Sequence, residues 1–114
     1  MAVEPVVTVT SSSDLGSFLV AKNGMTLYLY TKDASGVSNC YDACATNWPP
    51  YTVGEGENLS GGDGVIGQLS TIVRKDGSLQ LAYKGVPLYF WKNDAKPGDT
   101  TGQNVNKVWF VVKP

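Results

Sequence analysis

The two cysteines form the first pair of residues whose type and spacing could do chemistry. Cys40 and Cys44 are the only cysteines of the 114-residue chain, and three residues separate them. In an exported domain an even cysteine count indicates a disulfide, which we expect to shape the loop before Trp48. A thiol–disulfide redox partner is the alternative. It is disfavoured because the spacing is not Cys-x-x-Cys and no basic residue lies between the cysteines to lower a thiol pKa.

Two aromatic segments carry the second candidate group. Residues 24–33 read GMTLYLYTKD and residues 85–94 read GVPLYFWKND, so each contains the pattern Tyr-x-aromatic-x-x-Asp. Aromatic residues two apart share one face of a strand, where they pack in the core or form an exposed platform for a sugar ring or another flat ligand. The platform would consist of Tyr28, Tyr30, Tyr89 and Trp91.

Aspartates at and beyond the ends of these segments are candidate calcium ligands. They are Asp33, Asp94 and Asp99, and the last two lie in a polar loop over residues 93–104. Calcium takes six to eight oxygen ligands, and this loop offers two carboxylates with a lysine between them. The alternative is that the carboxylates accept backbone N–H bonds and hold their loops. We therefore expect no resident cofactor, with Ca²⁺ as the one candidate.

Composition argues against an enzyme and against a nucleic-acid partner. The chain has no histidine, which removes Ser-His and Cys-His nucleophile pairs, and it contains no Ser-x-x-Lys. Its net charge is −1, and its lysines form no basic run. We expect a non-enzymatic protein.

The elements that must position these residues are strands joined by tight turns. The Asn23-Gly24 pair predicts a hairpin turn, and Lys75-Asp76-Gly77 predicts a second one. No long segment has the apolar spacing of a helix. The predicted strands cover residues 6–10, 17–22, 25–31, 69–74, 78–83, 86–92 and 108–112.

The sequence repeats itself when it is shifted by 61 residues. Ten identities fall among the 44 aligned positions from Thr10 to Val53, including turn glycines, Tyr28 on Tyr89, and Trp48 on Trp109. Chance would give about three, at roughly one match in fifteen positions. A single unit of this size could hardly bury its own apolar face, whereas two units packed about a pseudo-twofold axis could.

We therefore predict one all-β domain over residues 1–114. The first repeat covers about residues 6–53, a flexible glycine-rich connection covers 54–66, and the second repeat covers about 67–114. The predicted architecture is a compact β-sandwich or a barrel-like pair of sheets.

The paired aromatic motif resembles the bacterial and archaeal family called "secreted repeat of unknown function". The resemblance rests on that motif, on the segment CYDACATNWPP at residues 40–50 and on RKDGSLQ at residues 74–80. It covers about Ser17 to Pro114, and it implies an exported, lipoprotein-like domain in the periplasm or at the cell surface, with no established activity.

These observations lead to one main hypothesis and two alternatives. The main one is a non-enzymatic extracellular module that binds or scaffolds at the cell surface, its partner being a surface protein or a glycan. The alternatives are a domain that binds Ca²⁺ or a small ligand, and a redox partner acting through Cys40 and Cys44. Met1-Ala2 before Val3 resembles a start joined to a trimmed mature domain. Membrane attachment is therefore expected only through a lipid anchor that has been removed.

Overall fold

The strands of both repeats are short and antiparallel, as expected for a chain rich in turns and β-branched residues. A computed structural model describes residues 5–114, so the interpretation of Met1 to Glu4 lies outside the described residues. The elements are β1 (Val7–Ser12), β2 (Gly16–Ala21), β3 (Tyr28–Tyr30), α1 (Ala43–Asn47), β4 (Thr52–Val53), β5 (Leu69–Val73), β6 (Leu79–Tyr83), β7 (Val86–Pro87) and β8 (Trp109–Val111).

These elements confirm the predicted all-β class. Over residues 5–114 the strands form three small sheets, namely β1-β2, β3-β8 and β4-β6-β5, with β7 also paired to β6. The one helix in the described part of the chain, α1, has five residues, which is too short for a periodic apolar pattern. No helix of residues 5–114 has the length and apolar character needed to cross a bilayer.

Both predicted turns are present. Gly24 has φ +85°, and its N–H donates to the Ala21 carbonyl at 2.8 Å. In the second turn Gly77 has φ +87°, and the Asp76 carboxylate accepts the Ser78 N–H at 2.9 Å. Glycine is suited to both positions because it adopts positive φ without a Cβ clash.

The two repeats meet on a local twofold axis. Tyr28 and Tyr89, which the 61-residue shift superposes, exchange backbone hydrogen bonds of 2.8 and 3.0 Å in an antiparallel bridge. The closing segment of each repeat then pairs with the aromatic segment of the other. β8 pairs with β3, and the Phe90 N–H donates to the Pro49 carbonyl at 2.7 Å. The repeats are therefore interlocked rather than stacked side by side.

The core draws on both repeats, as this interlocking requires. One cluster contains aliphatic residues from each repeat, among them Leu19, Leu27, Leu81 and Leu88. The other is aromatic and is centred on Tyr28, Trp48, Tyr89 and Trp109. Neither repeat alone would enclose either cluster.

The glycine-rich connection packs against the first hairpin. The Val6 N–H donates to the Ser60 carbonyl at 2.9 Å, and the Gly62 N–H donates to the Val7 carbonyl at 2.8 Å. Val7 and Gly61 form a parallel bridge. Part of the segment that we predicted to be flexible therefore acts as an extra strand along the outer edge of β1.

Candidate functional site

The tyrosine and aspartate of the repeated motif bind across the two repeats. The Tyr28 hydroxyl donates to Asp94 Oδ2 at 2.7 Å, and the Tyr89 hydroxyl donates to Asp33 Oδ2 at 2.6 Å. Both tyrosines are fully buried. The antiparallel Tyr28–Tyr89 bridge causes this reciprocity, because each ring crosses the twofold axis toward the loop of the other repeat.

Burial sets the protonation of this group. It raises the pKa of Tyr28 and of Tyr89 far above the usual value of 10.0, and the adjacent Asp94 or Asp33 raises it further. Burial also raises the pKa of Asp33, against the hydrogen bonds from Tyr89 and from the Asn39 backbone. Both tyrosines are therefore neutral hydrogen-bond donors at physiological pH.

The remaining motif aromatics end a stack of four rings. Trp91 stacks on Trp48 with 4.0 Å between ring centroids, Trp48 on Trp109 at 3.9 Å, and Trp109 on Tyr30 at 4.3 Å. The 61-residue shift relates the two inner rings to each other and the two outer rings to each other. The outer rings, Tyr30 and Trp91, are half-buried. Of the four predicted platform residues, only these two reach the surface, since Tyr28 and Tyr89 lie in the core.

The three aspartates predicted as calcium ligands do not come together. Asp94 Oδ1 accepts the Thr101 N–H at 3.0 Å and the Thr101 hydroxyl at 2.7 Å, and Asp99 Oδ2 accepts the Ala95 N–H at 2.8 Å. Asp33 Oδ1 accepts the Asn39 N–H at 2.6 Å. Within residues 5–114 no group of three His, Cys, Asp or Glu side chains could hold a metal ion. These carboxylates hold loops, which was the alternative interpretation.

The cysteines are joined in the disulfide that we predicted. The Cys40–Cys44 bridge spans the start of α1, and the Trp48 N–H that follows the helix donates to the Cys44 carbonyl at 2.7 Å. The bridge therefore shapes the backbone that delivers Trp48 to the ring stack. Cys40 is buried and Cys44 is half-buried, so a partner thiolate would have to approach from the Cys44 side.

A buried arginine, Arg74, holds the same loop, and no pattern in the sequence predicted a role for it. Arg74 Nη1 donates to Ser38 Oγ at 3.0 Å and to Gln80 Oε1 at 2.8 Å, and its Nη2 donates to the Cys40 carbonyl at 2.7 Å. The described chain places no acidic side chain within ion-pair distance of it. The Ser38 hydroxyl also hydrogen bonds to the Tyr89 hydroxyl, which connects Arg74 to the motif.

Arg74 is a feature of one hairpin only. The 61-residue shift places Ser13 at its position in the first repeat, and Leu19 at the position of Gln80. That mismatch is the one signal in the sequence that could have identified this asymmetric cluster.

The loop that contains the disulfide, residues 36–44, is called the cysteine loop. A surface cleft lies between this loop and the end of β5. We call it the cysteine-loop cleft. It measures about 510 Å³ and is lined by Gly36, Val37, Ser38, Asn39, Tyr41, Asp42, Ile72, Val73 and Lys75. Val37 is 50% exposed and Val73 is 72% exposed, while the Lys75 ammonium lies 4.4 Å from the Tyr41 ring centroid. The cleft therefore combines apolar contact area with a cation, a carboxylate and amide groups.

A fixed backbone carries these groups. The Arg74 guanidinium lies 4.4 Å from the centre of the Tyr41 ring, so the loop is clamped at both Cys40 and Tyr41. Asn39 donates from its backbone to Asp33 and from Nδ2 to the Lys32 carbonyl at 2.8 Å. Asp42 has φ +56° and ψ −123°, a backbone conformation that favours glycine and is uncommon for other residues.

Comparison with known proteins agrees with the repeat. The family model described as a secreted repeat of unknown function matches residues 9–52 and again residues 70–113. No curated protein and no solved structure matches the chain. The two matched segments are related by the 61-residue shift, and together they cover most of the chain. The chain therefore belongs to the family of secreted repeats of unknown function, and it contains two interlocked copies of the repeat.

Proposed function

We propose that this protein is a non-enzymatic extracellular binding module, acting at the cell surface or in the periplasm, whose ligand site is the cysteine-loop cleft. The observation that carries the proposal is the position of its exposed apolar residues. The described chain leaves three large apolar side chains exposed, Val37, Ile66 and Val73, and two of them line this cleft. Apolar area that solvent reaches beside convergent polar groups is characteristic of binding sites.

The rigidity of the loop supports the same location. The disulfide, the Arg74 clamp and the Asp33–Asn39 hydrogen bond all hold residues 38–44. A loop that is already fixed loses little conformational entropy when a ligand binds, so more of the contact energy appears as affinity. The fold alone does not require this clamp, because the second repeat has Thr101 and Val105 in place of the cysteines.

The motif residues are poor candidates for the site by comparison. The hydroxyls of Tyr28 and Tyr89 and the carboxylates of Asp33 and Asp94 already bind one another inside the protein. Groups that are buried and satisfied in this way have no free capacity for a ligand.

A displayed library of ten-residue peptides and an array of extracellular polysaccharides together test this proposal. We expect binders whose affinity falls about tenfold or more in Val37→Glu, because a charge would be buried among apolar groups. The matched control is Ile66→Glu, which alters the exposed apolar residue outside the cleft and should bind as the unchanged protein does. Binders that tolerate Val37→Glu, or the absence of any binder, would contradict the cleft.

The ends of the ring stack support a second candidate function, recognition of a flat ligand such as a sugar. Tyr30 lines an apolar cleft of about 220 Å³ together with Leu29, Val86 and Pro87. Aromatic rings bind the apolar faces of sugars by stacking. Polysaccharide binding that is lost in Tyr30→Ala and kept in Val37→Glu would favour this candidate over the cysteine-loop cleft.

A further inference from the structure

Within residues 5–114, the outer edge of β5 has backbone hydrogen-bonding groups that are free. Among the described strands β5 pairs only with β6. The Arg74–Ser78 and Lys84–Gln68 hydrogen bonds show which of its residues face that partner. Because the ladder alternates, Ser70 and Ile72 point their N–H and C=O groups toward β6. Leu69, Thr71 and Val73 point theirs outward, where residues 5–114 offer no hydrogen-bond partner.

This edge lacks the features that normally block strand addition. Residues 68–73 read QLSTIV and contain no charge and no proline. Thr71 and Val73 are exposed. Edge strands are usually protected by lysine, proline, a bulge or a covering segment, so an uncharged β-branched edge is a template for another strand.

The corresponding edge of the first repeat shows which kind of segment pairs with such a strand. β1 occupies in the first repeat the place that β5 occupies in the second, and its outer edge is covered by the glycine-rich connection. Ser60 and Gly62 hydrogen bond to Val6 and Val7, with Gly61 in a parallel bridge. Further along, Gly64 approaches Val9 so closely that an added Cβ would lie 3.3 Å from Val9 Cγ2. Residues 60–62, which are uncharged and have small or no side chains, therefore fit this kind of edge, and the turn at Asp63 and Gly64 follows them.

We propose that the free edge of β5 binds an extended, uncharged segment of a partner protein by strand addition. The segment runs parallel to β5, as residues 60–62 run along β1, with small or β-branched residues against the strand. Its downstream end reaches the cysteine-loop cleft, which Ile72 and Val73 line, and places one apolar side chain between Val37 and Val73. This inference rests on the proposed function and names the class of its ligand. Main-chain hydrogen bonds supply affinity in this mode, and the cleft supplies selectivity.

The test uses peptides selected from the displayed library on the full chain. Thr71→Pro removes an N–H that points outward, so the β5–β6 ladder keeps its hydrogen bonds, and proline is tolerated on edge strands. We expect binding about tenfold weaker in Thr71→Pro and unchanged in Thr71→Val, which keeps the N–H. N-methylation along the peptide should weaken binding at every second position, because only alternate N–H groups face β5. This second readout does not depend on how the variant folds.

The possible outcomes separate the two proposals. If Val37→Glu abolishes binding while Thr71→Pro and N-methylation have no effect, the cleft stands as the site and strand addition is overturned. If polysaccharides bind through the cleft and no peptide does, the cleft again stands as the site and strand addition is again overturned. Peptides that tolerate all of these changes would overturn both proposals. Dimerisation in sedimentation that Thr71→Pro abolishes would show that a second copy occupies the edge, which overturns the partner segment.

Discussion

Tyr28 and Tyr89 each bind the aspartate of the repeat to which they do not belong. A hydrogen bond between a buried hydroxyl and a carboxylate is charge-assisted and therefore stronger than a neutral one. The cost of burying the carboxylates is offset by further donors, which are Thr101 for Asp94 and the Asn39 backbone for Asp33. The motif that identifies the family thus has a structural explanation at the level of single atoms.

The raised pKa of these tyrosines predicts an unusual alkaline titration. Unfolded tyrosine ionises near its usual value of 10.0, whereas folded Tyr28 keeps its proton at that pH. The unfolded chain therefore releases protons first, and the free energy of unfolding falls as the pH rises past about 10. Tyr28→Phe should leave the tyrosinate absorbance of the folded protein at about pH 11 unchanged. In urea at the same pH all six tyrosines of the unfolded chain ionise, so the same substitution should remove one sixth of the tyrosinate absorbance of the unfolded protein. A reduced signal in the folded variant would show that Tyr28 titrates freely.

Arg74 predicts a second effect at the scale of one residue. Arg74→Lys keeps the charge and loses the planar fork that reaches Ser38, Gln80 and Cys40 together. We expect the free energy of unfolding to fall by about 1–3 kcal/mol, because buried acceptors lose their donor. Urea denaturation measures the change. The neighbouring Lys75→Arg is the control, and we expect it to stay within about 0.5 kcal/mol because Lys75 is exposed. Equal stability of Arg74→Lys and the parent would mean that the arginine is not holding the loop.

The sequence predicted the types of the site residues better than their surroundings. Tyr28 and Tyr30 share one strand face, as their spacing indicates, yet one is buried and the other is half-exposed. That difference arises from the second repeat, which covers Tyr28 and leaves one edge of Tyr30 open. Loop holding was the alternative interpretation of Asp33, and one of its oxygens does accept the Asn39 N–H, but its second oxygen binds a residue 56 positions away. Local patterns carry no information on such a contact.

At the scale of elements, the cysteine loop is where the two repeats differ most. The sequence predicted its disulfide, because an even cysteine count in an exported domain indicates one. It did not predict α1, since a helix of five residues contains little more than one turn. The connection over residues 54–66 was also only partly predicted. Its composition indicated flexibility, while its backbone groups in fact pair with the edge of β1.

The disulfide predicts an effect confined to this element. Replacing both cysteines by serine should lower the free energy of unfolding by only about 2 kcal/mol, because the loop that the bridge closes is short. Hydrogen exchange should accelerate at residues 40–47 by more than the loss of global stability accounts for. The amides of β2 and β6 should exchange faster only by the factor that this loss of global stability predicts. Faster exchange throughout both hairpins would show that the bridge supports the whole fold.

At the scale of the whole molecule, the repeats form a single interlocked unit. The 61-residue shift in the sequence predicted two equivalent copies and an axis between them. It did not predict that the closing strand of each copy pairs with the aromatic strand of the other, because pairing with its own repeat satisfies the same apolar pattern. The exchange explains why the tryptophans meet as a continuous stack, with Trp48 of one repeat directly on Trp109 of the other.

The symmetric residues therefore build the scaffold, and we propose that the asymmetric loop carries the function. The central claim is that the tyrosine–aspartate motif acts between the repeats. It follows from this claim that Tyr28 is coupled energetically to Asp94 and not to Asp33, although Asp33 is the aspartate of its own motif.

Double-mutant cycles in urea denaturation test this claim most directly. Tyr28→Phe combined with Asp94→Ala should show a coupling energy of about 1–2 kcal/mol, as expected for residues joined by a buried hydrogen bond. Tyr89→Phe with Asp33→Ala should behave in the same way. The control cycle, Tyr28→Phe with Asp33→Ala, should be additive to within about 0.5 kcal/mol. Coupling in the control cycle with additivity in the first two would show that the motif acts within each repeat, which would contradict the interlocked arrangement.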